Sequence, residues 1–224
     1  MNNFSDNYIQ QLMTDKYHIK TIYPFNSIKK ITYINNFFKD FSSIESIENI
    51  SFDISECTSF NNVFENCYNL TNINALSSWD VSNCKSFKGM FMNCSNIKSH
   101  EPLKNWSLDN AINISNMFFR NINIDLIHTK DFNVSNVKLF NECFANCDIT
   151  DISSLKSWNV SNCRSFSEMF AFCSIESIEE LVRWKVNEKA NFEGMFKGNH
   201  IIDIECLRAW FNDLSIEEIK HKIF

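Results

Sequence analysis

Nine cysteines and five histidines are the residues of this 224-residue chain whose types could bind a metal or carry redox chemistry. Zinc sites use Cys or His pairs a few residues apart. No Cys-x-x-Cys pair occurs, and the histidines are scattered, at positions 18, 100, 128, 200 and 221. An odd number of cysteines also argues against a disulfide framework. The sequence therefore predicts reduced thiols, with neither a metal nor another cofactor.

The spacing of the cysteines limits what they can do. Cys84 and Cys94 are ten residues apart, which is about 15 Å along a helix, whereas a disulfide needs Cα atoms within about 7 Å. Equivalent cysteines in neighbouring units are expected on adjacent helices, about 8 to 10 Å apart. Only Cys143 and Cys147, four residues apart, could share a helix face. We interpret the cysteines as small buried residues in a ladder.

Motifs for catalysis and for nucleic-acid binding are absent. No Gly-rich phosphate loop, nucleophile elbow or separate pair of acidic residues stands apart from the repeats, so we expect no enzyme activity. The formal net charge is -6 and Lys and Arg form no cluster, which disfavours direct contact with nucleic acid. We find no signal peptide, lipidation signal or apolar run of 18 residues, and we expect a cytoplasmic protein without membrane contact.

One column of polar residues is the candidate binding site. It follows the middle apolar position of a repeating unit, four of its seven members are acidic, and Asp151 and Asp203 lie beside it. The column comprises Glu48, Asn74, Glu101, His128, Ser153, Glu179 and Glu205. On one surface, these residues would form a lane of negative charge that attracts a basic protein partner. The alternative is a solvated face that keeps the protein soluble.

These residues are carried by a repeat of 26 to 27 residues. An apolar residue followed by Phe marks each unit, and a large aromatic residue recurs at the same interval. The pairs are Phe37-Phe38, Val63-Phe64, Met90-Phe91, Met117-Phe118, Cys143-Phe144, Met169-Phe170 and Met195-Phe196. The aromatic column is Phe52, Trp79, Trp106, Phe132, Trp158, Trp184 and Trp210. The two columns define about seven units and predict that neighbours stack Phe on Phe and Trp on Trp.

Within a unit, the spacing predicts a short helix and one or two short extended segments. Apolar residues between Cys84 and Cys94 recur at intervals of three and four, as on one face of a helix. The run from Leu70 to Val81 ends with the alternation of a strand. A small residue follows six of the pairs, at Cys67, Cys94, Cys147 and Cys173, with Asn121 and Asn199 in the other two units.

The ends of the chain depart from the repeat, which predicts three parts. Residues 1–30 form an N-terminal cap with a helix from Ser5, residues 31–210 form the solenoid, and residues 211–224 form a capping helix that opens with a capping box at Ser215. The unit around residues 119–131 is the least regular. Asn, Ile, Phe and Lys are abundant, as an AT-rich coding sequence from a cellular or viral genome would produce, so we give the Asn content little weight.

The repeat motif resembles a known family. Trp79-Asp80-Val81-Ser82-Asn83, followed by a Phe, Met-Phe-x-x-Cys and Leu-x-x-Ile-x-x-Leu, is similar to BspA-type leucine-rich repeats and to mycoplasma surface-lipoprotein repeats, over roughly residues 34–210. The resemblance implies an α/β, leucine-rich-repeat-like, right-handed solenoid used in adhesion or protein-protein contact, without catalytic residues. We expect a non-enzymatic intracellular scaffold. A cell-surface adhesion protein is the first alternative, and an enzyme is the second.

Overall fold

A computed structural model describes residues 14–22, 29–48 and 52–224. β1 (Thr21–Ile22) pairs in parallel with β3 (Ser46–Ile47), and β2 (Lys29–Lys30) pairs in parallel with β4 (Phe52–Asp53). We number the units one to seven in the order of their apolar-Phe pairs. From the second unit onward, one residue in each unit forms a parallel bridge to its equivalent in the next unit. These residues are Ser59, Ser86, Asn113, Leu139, Ser165 and Asn191. The units therefore lie one on the next, in the order of the chain.

Short 3-10 helices recur on one side of the units. They span Asn74–Ser78, Glu101–Leu103, Leu126–His128, Ser153–Ser157, Glu179–Arg183 and Glu205–Ala209. The first lies inside the run from Leu70 to Val81, and the backbone is extended at Trp79, where the predicted alternation begins (φ -75°, ψ 125°). Leu76 N–H donates to Ile73 O at 3.0 Å and Trp79 N–H donates to Leu76 O at 3.1 Å. The three-residue spacing of the apolar side chains matches the three-residue turn of this helix.

The helix predicted between Cys84 and Cys94 is wrong, because this segment is a series of turns. Met90 N–H donates to Phe87 O at 3.1 Å and Cys94 N–H donates to Phe91 O at 3.0 Å, which closes successive turns. Alternate N–H groups instead donate to the neighbouring unit, as Phe91 N–H does to Met117 O at 3.0 Å. A continuous α-helix would use these donors within its own segment.

Left-handed backbone at two positions per unit produces these turns. The first column is Asn36, Asn62, Gly89, Asn116, Glu142, Glu168 and Gly194, and the second is Asp40, Asn66, Asn93, Arg120, Asn146, Phe172 and Gly198. The φ angles lie between 52° and 75°, a region that Gly, Asn and Asp adopt more readily than other residues. Because the two positions are four residues apart, the apolar side chains between them keep the three- and four-residue intervals of a helix.

Stacked aromatic rings form the core. Phe38, the Phe of the first pair, begins a stack in which each ring lies 5.3 to 5.9 Å from the next, with planes within 10° of parallel. Trp184 lies between Trp158 and Trp210, at centroid distances of 6.4 and 6.1 Å. Trp79 packs instead on the Phe rings of its own unit. The predicted stacking of Phe on Phe is confirmed, and these Trp rings are buried.

A C-terminal α-helix, Ile216–Ile223, covers the last unit. Ser215 accepts from Glu218 N–H and the Glu218 side chain accepts from Ser215 N–H, which confirms the predicted capping box. Phe196 N–H donates to Ile223 O at 2.8 Å, and Ile219 and Ile223 are buried. The helix predicted from Ser5 begins outside the described residues. The right-handed, leucine-rich-repeat-like character of the stack stays a prediction.

Candidate functional site

The predicted polar column lies where the 3-10 helices begin. Asn74, Glu101, Ser153, Glu179 and Glu205 are the first residues of their helices, and all except the half-buried Ser153 are exposed. The side chain two residues earlier accepts from the N–H group of each, as Asp203 Oδ1 does from Glu205 N–H at 2.7 Å. This local turn fixes the start of the helix in each unit. Glu48 is exposed as well, outside these helices.

In the fourth unit, the column holds Ile127 and not His128. Asp125 Oδ1 accepts from Ile127 N–H at 2.9 Å, as Asp151 Oδ1 accepts from Ser153 N–H at 2.8 Å. The prediction for His128 is therefore wrong by one residue. Two apolar residues, Leu126 and Ile127, stand together here, and the buried one is Leu126. Ile127 is 46% exposed and interrupts the polar column.

The negative charge is concentrated in units five to seven. The corresponding segments 148–154, 174–180 and 200–206 contain seven carboxylates and no Lys or Arg. We call these three segments the acidic face; its carboxylates are Asp148, Asp151, Glu176, Glu179, Glu180, Asp203 and Glu205. The equivalent segments of the three preceding units contain only Lys98, Glu101 and Asp125 as charged residues. The predicted lane is thus confined to one end of the stack, and Glu48 and Glu101 lie apart from it.

Cations at the far end of the 3-10 helices partly neutralise this charge, which we did not anticipate from the sequence. Arg208 Nε lies 2.7 Å from Glu205 Oε2, and Arg183 Nε lies 3.6 Å from Glu180 Oε2. In the helix Glu101–Leu103, which lies outside the acidic face, Lys104 Nζ lies 2.7 Å from Glu101 Oε1 and lowers the pKa of the Glu101 carboxyl. Because all these pairs are exposed, water and salt screen them and they add little to stability. A partner that supplies better-placed cations can displace them.

Open grooves run between neighbouring units on this face. One of about 420 Å³ is lined by Glu176, Ser177, Glu179, Ile202, Asp203 and Cys206. Another, of about 280 Å³, is lined in part by Asp148, Asp151 and Ile127. A third, of about 300 Å³, lies at the other end of the stack beside Glu48 and Asn74. Ile202 is 89% exposed, so the first groove offers an apolar contact among carboxylates.

The cysteines are structural donors. All nine are free, and eight are buried. Four thiols donate to a Phe carbonyl of the preceding unit: Cys67 to Phe38, Cys94 to Phe64, Cys147 to Phe118 and Cys173 to Phe144, at 2.9 to 3.2 Å. Asn121 and Asn199 make the same bond through Nδ2, at 2.6 and 2.7 Å. The interpretation as a buried ladder is confirmed.

The predicted separation of equivalent cysteines is wrong. Parallel bridges join neighbouring units at the strand-to-strand spacing of about 5 Å, so equivalent cysteines lie closer together than packed helices would place them. Burial raises the pKa of the Cys84 and Cys163 thiols to about 12. These thiols are therefore protonated and unreactive at neutral pH. No group of three or more His, Cys, Asp or Glu side chains in residues 14–22, 29–48 and 52–224 is arranged to hold a metal ion.

A buried polar pair interrupts the core between units three and four. His100 takes the place that Ile73 and Ile152 occupy in other units, and its Nε2 lies 3.4 Å from Asn121 Oδ1. Its Nδ1 has no hydrogen-bond partner among the described residues. Burial lowers the pKa of His100 to about 4, so the ring is neutral at pH 7. The sign of this pair in the sequence is that position 100, directly before the polar column, holds His where other units have Ile or Leu.

Asparagine side chains link the units at two corners. Asn83, Asn110, Asn136 and Asn162 donate from Nδ2 to a carbonyl of the preceding unit at 2.7 to 2.9 Å. Asn69, Asn96 and Asn123 do the same at the second corner, at 2.7 to 3.1 Å. The Asn content is therefore a structural feature of the repeat, contrary to the expectation from composition. At these corners the amide replaces a backbone hydrogen bond between units.

A family model described as "Mycoplasma protein of unknown function, DUF285" matches residues 10–126 and again residues 98–210. The two matches together include the stacked units and the whole acidic face. No curated protein matches the sequence. In the part of the chain that the structure describes, no helix has the length and apolar character needed to cross a bilayer.

Proposed function

The chain belongs to the family described as "Mycoplasma protein of unknown function, DUF285", and we propose that it is a non-enzymatic scaffold that binds a protein partner with a basic surface. The observation that carries the proposal is the acidic face. Seven carboxylates without Lys or Arg occupy equivalent segments of three consecutive units. Charge of one sign on one surface attracts an oppositely charged partner and speeds the encounter.

The shape of this face favours a protein segment over a small molecule. Small-molecule sites bury most of the ligand in a mostly apolar pocket. The grooves here are open, lie between successive units and are lined largely by carboxylates and hydroxyl groups. An extended segment can follow such grooves from unit to unit. The exposed Ile202 supports a partner that sets an aliphatic side chain beside Lys or Arg.

Two finer points belong to the same proposal. We propose that the repeat is of the BspA-type leucine-rich kind, with a right-handed coil, because the Trp-Asp-Val-Ser-Asn and Met-Phe-x-x-Cys motifs match that pattern. We also propose an intracellular site of action, which nine free cysteines support. An adhesion role at a cell surface is the alternative that the resemblance to surface repeats favours.

Selection from a random-peptide display library tests the proposal. The wild-type protein should enrich peptides in which Lys or Arg alternates with aliphatic residues, and salt should weaken their binding. The variant E179K/E205K should bind the selected peptides about tenfold more weakly or worse, because both changes reverse charge on the acidic face.

The variant E188K/E193K is the matched control. It makes the same change in net charge at two exposed carboxylates outside the acidic face, and it should bind the selected peptides as the wild type does. Equal binding by both variants, or selection of peptides without basic residues, would rule out the acidic face as the binding surface.

A further inference from the structure

A second face of the stack has the opposite charge. The corresponding segments 83–88, 110–115, 136–141 and 162–167 of units three to six contain no Asp or Glu. Their charged residues are Lys85, Lys88, Lys138 and Arg164. We call these four segments the cationic face. It comes from a different part of each unit than the acidic face, just before the apolar-Phe pair instead of after it.

Backbone hydrogen bonds place most of these cations in one column. Ile112 N–H donates to Lys85 O at 2.8 Å, Lys138 N–H donates to Ile112 O at 2.8 Å, and Arg164 N–H donates to Lys138 O at 2.9 Å. Four residues therefore occupy the same position in four consecutive units: Lys85, Ile112, Lys138 and Arg164. Lys85 and Arg164 are exposed, Lys138 is half-buried, and Ile112 is 38% exposed.

The cationic face has no compensating charge of its own. Among the described residues, no carboxylate lies within 4.0 Å of Lys85, Lys88, Lys138 or Arg164. Like charges on directly paired residues, such as Lys138 and Arg164, repel each other. A row of carboxylates with the same spacing would relieve this repulsion.

The acidic face of another copy provides such a row. Glu179 and Glu205 occupy equivalent positions one unit apart, as Lys138 and Arg164 do. Both rows repeat at the distance between stacked units, so two parallel stacks can bring several opposite charges together at once. Ile112 and Ile202 supply an exposed apolar side chain on each face.

We infer that a second copy of this chain is a partner of the acidic face and binds it through the cationic face. This inference rests on the proposed function, since it uses the same acidic face. The two faces are different surfaces, so the contact leaves one free face of each kind on every pair of molecules. Such a contact adds further copies and does not close at a dimer.

Charge reversal tests the inference, with molar mass measured by sedimentation equilibrium at concentrations up to about 1 mM, because exposed charge contacts bind weakly. At low ionic strength, the average mass of the wild type should rise with concentration above the monomer value of 26.3 kDa. In about 0.5 M salt, where the screening length falls to about 4 Å, it should return to the monomer value.

The variants K138E/R164E and E179K/E205K should each remain monomeric at low ionic strength. An equimolar mixture of the two should regain the rise in mass, because each supplies the face that the other has lost. K185E/K189E, which makes the same change in net charge as K138E/R164E at exposed residues outside the cationic face, should associate as the wild type does.

A wild type that stays monomeric, or a K138E/R164E variant that still associates, would overturn the inference. Peptide binding by the acidic face distinguishes the two proposals. If the wild type is monomeric but E179K/E205K alone loses the selected basic peptides, the proposed function stands and only self-association fails.

Discussion

The side-chain amide of Asn121 donates to the carbonyl oxygen of Phe91 at 2.6 Å, in the position where the Cys94 thiol donates to Phe64 O at 2.9 Å. Two chemically different side chains thus make the same bond between neighbouring units. This equivalence explains why the small-residue column accepts both Cys and Asn from the second unit onward, whereas the first unit has Phe41 at the same position. The Phe carbonyl of the preceding unit already accepts one backbone N–H, as Phe91 O does from Cys94 N–H at 3.0 Å, and the side chain at this point supplies its second hydrogen bond.

Replacement of Asn121 should show the value of that donor. N121A removes the side-chain donor to Phe91 O, which then accepts only from Cys94 N–H, and leaves the ring of His100 without a partner. We expect a loss of about 1 to 3 kcal/mol in the free energy of unfolding. N121C retains a donor to Phe91 and should lose less than half of that amount. Urea denaturation measures both, with N105A at an exposed position as the control. Equal losses for the Ala and Cys variants would contradict the equivalence.

His100 should make stability depend on pH. Its pKa is lowered by burial to about 4, with His128 and Asp125 as the nearby charged groups. The unfolded chain binds a proton near pH 6.5, so between about pH 6.5 and 4 only the unfolded state is protonated. Stability present above pH 6.5 is therefore lost as the pH falls, by about 3 kcal/mol in total.

The variant H100I isolates this effect, because Ile stands at the same position in other units, such as Ile152. Urea denaturation of the two proteins between pH 7 and pH 5 should give a steeper fall for the wild type. Identical slopes would mean that His100 is not neutral in the folded protein.

Trp184 should be among the most important residues for stability. Its ring lies between Trp158 and Trp210, and its Nε1 donates to Leu155 O at 2.8 Å. W184A should cost about 3 to 5 kcal/mol. W184F keeps an aromatic ring and loses the donor, and it should cost about 1 to 2 kcal/mol. Equal denaturation midpoints for W184A and W184F would refute this ranking.

Cys206 should be the first thiol to react in the folded protein. It is the one cysteine that is only partly buried, although burial also raises its pKa. An aromatic disulfide reagent should modify one thiol rapidly and the remaining eight only after unfolding. C206S should abolish the rapid phase. A rapid phase that persists in this variant would show that a buried column opens readily.

The sequence determined the repeat, its stacking and the terminal helix. Spacing alone places Phe64, Phe91 and their equivalents in one column, because a unit of 26 to 27 residues buries large aromatic rings only against its neighbours. The capping box at Ser215 is a local signal, since both hydrogen bonds lie within four residues. The acidic residues Glu179, Glu205, Asp151 and Asp203 were also identified from sequence, as members of one column or its immediate neighbours.

Only the tertiary structure decided the backbone of each unit and the extent of the charged faces. Intervals of three and four residues between Cys84 and Cys94 fit both a helix and a series of turns, and the difference is whether N–H groups bond within the segment or to the next unit. The position of Ile127, and not His128, in the polar column has the same origin, since the hydrogen bond from Ile127 N–H to Asp125 Oδ1 fixes the register of this unit. The cationic face is equally invisible along the chain, because Lys85, Lys138 and Arg164 lie 26 or more residues apart and meet only when the units stack.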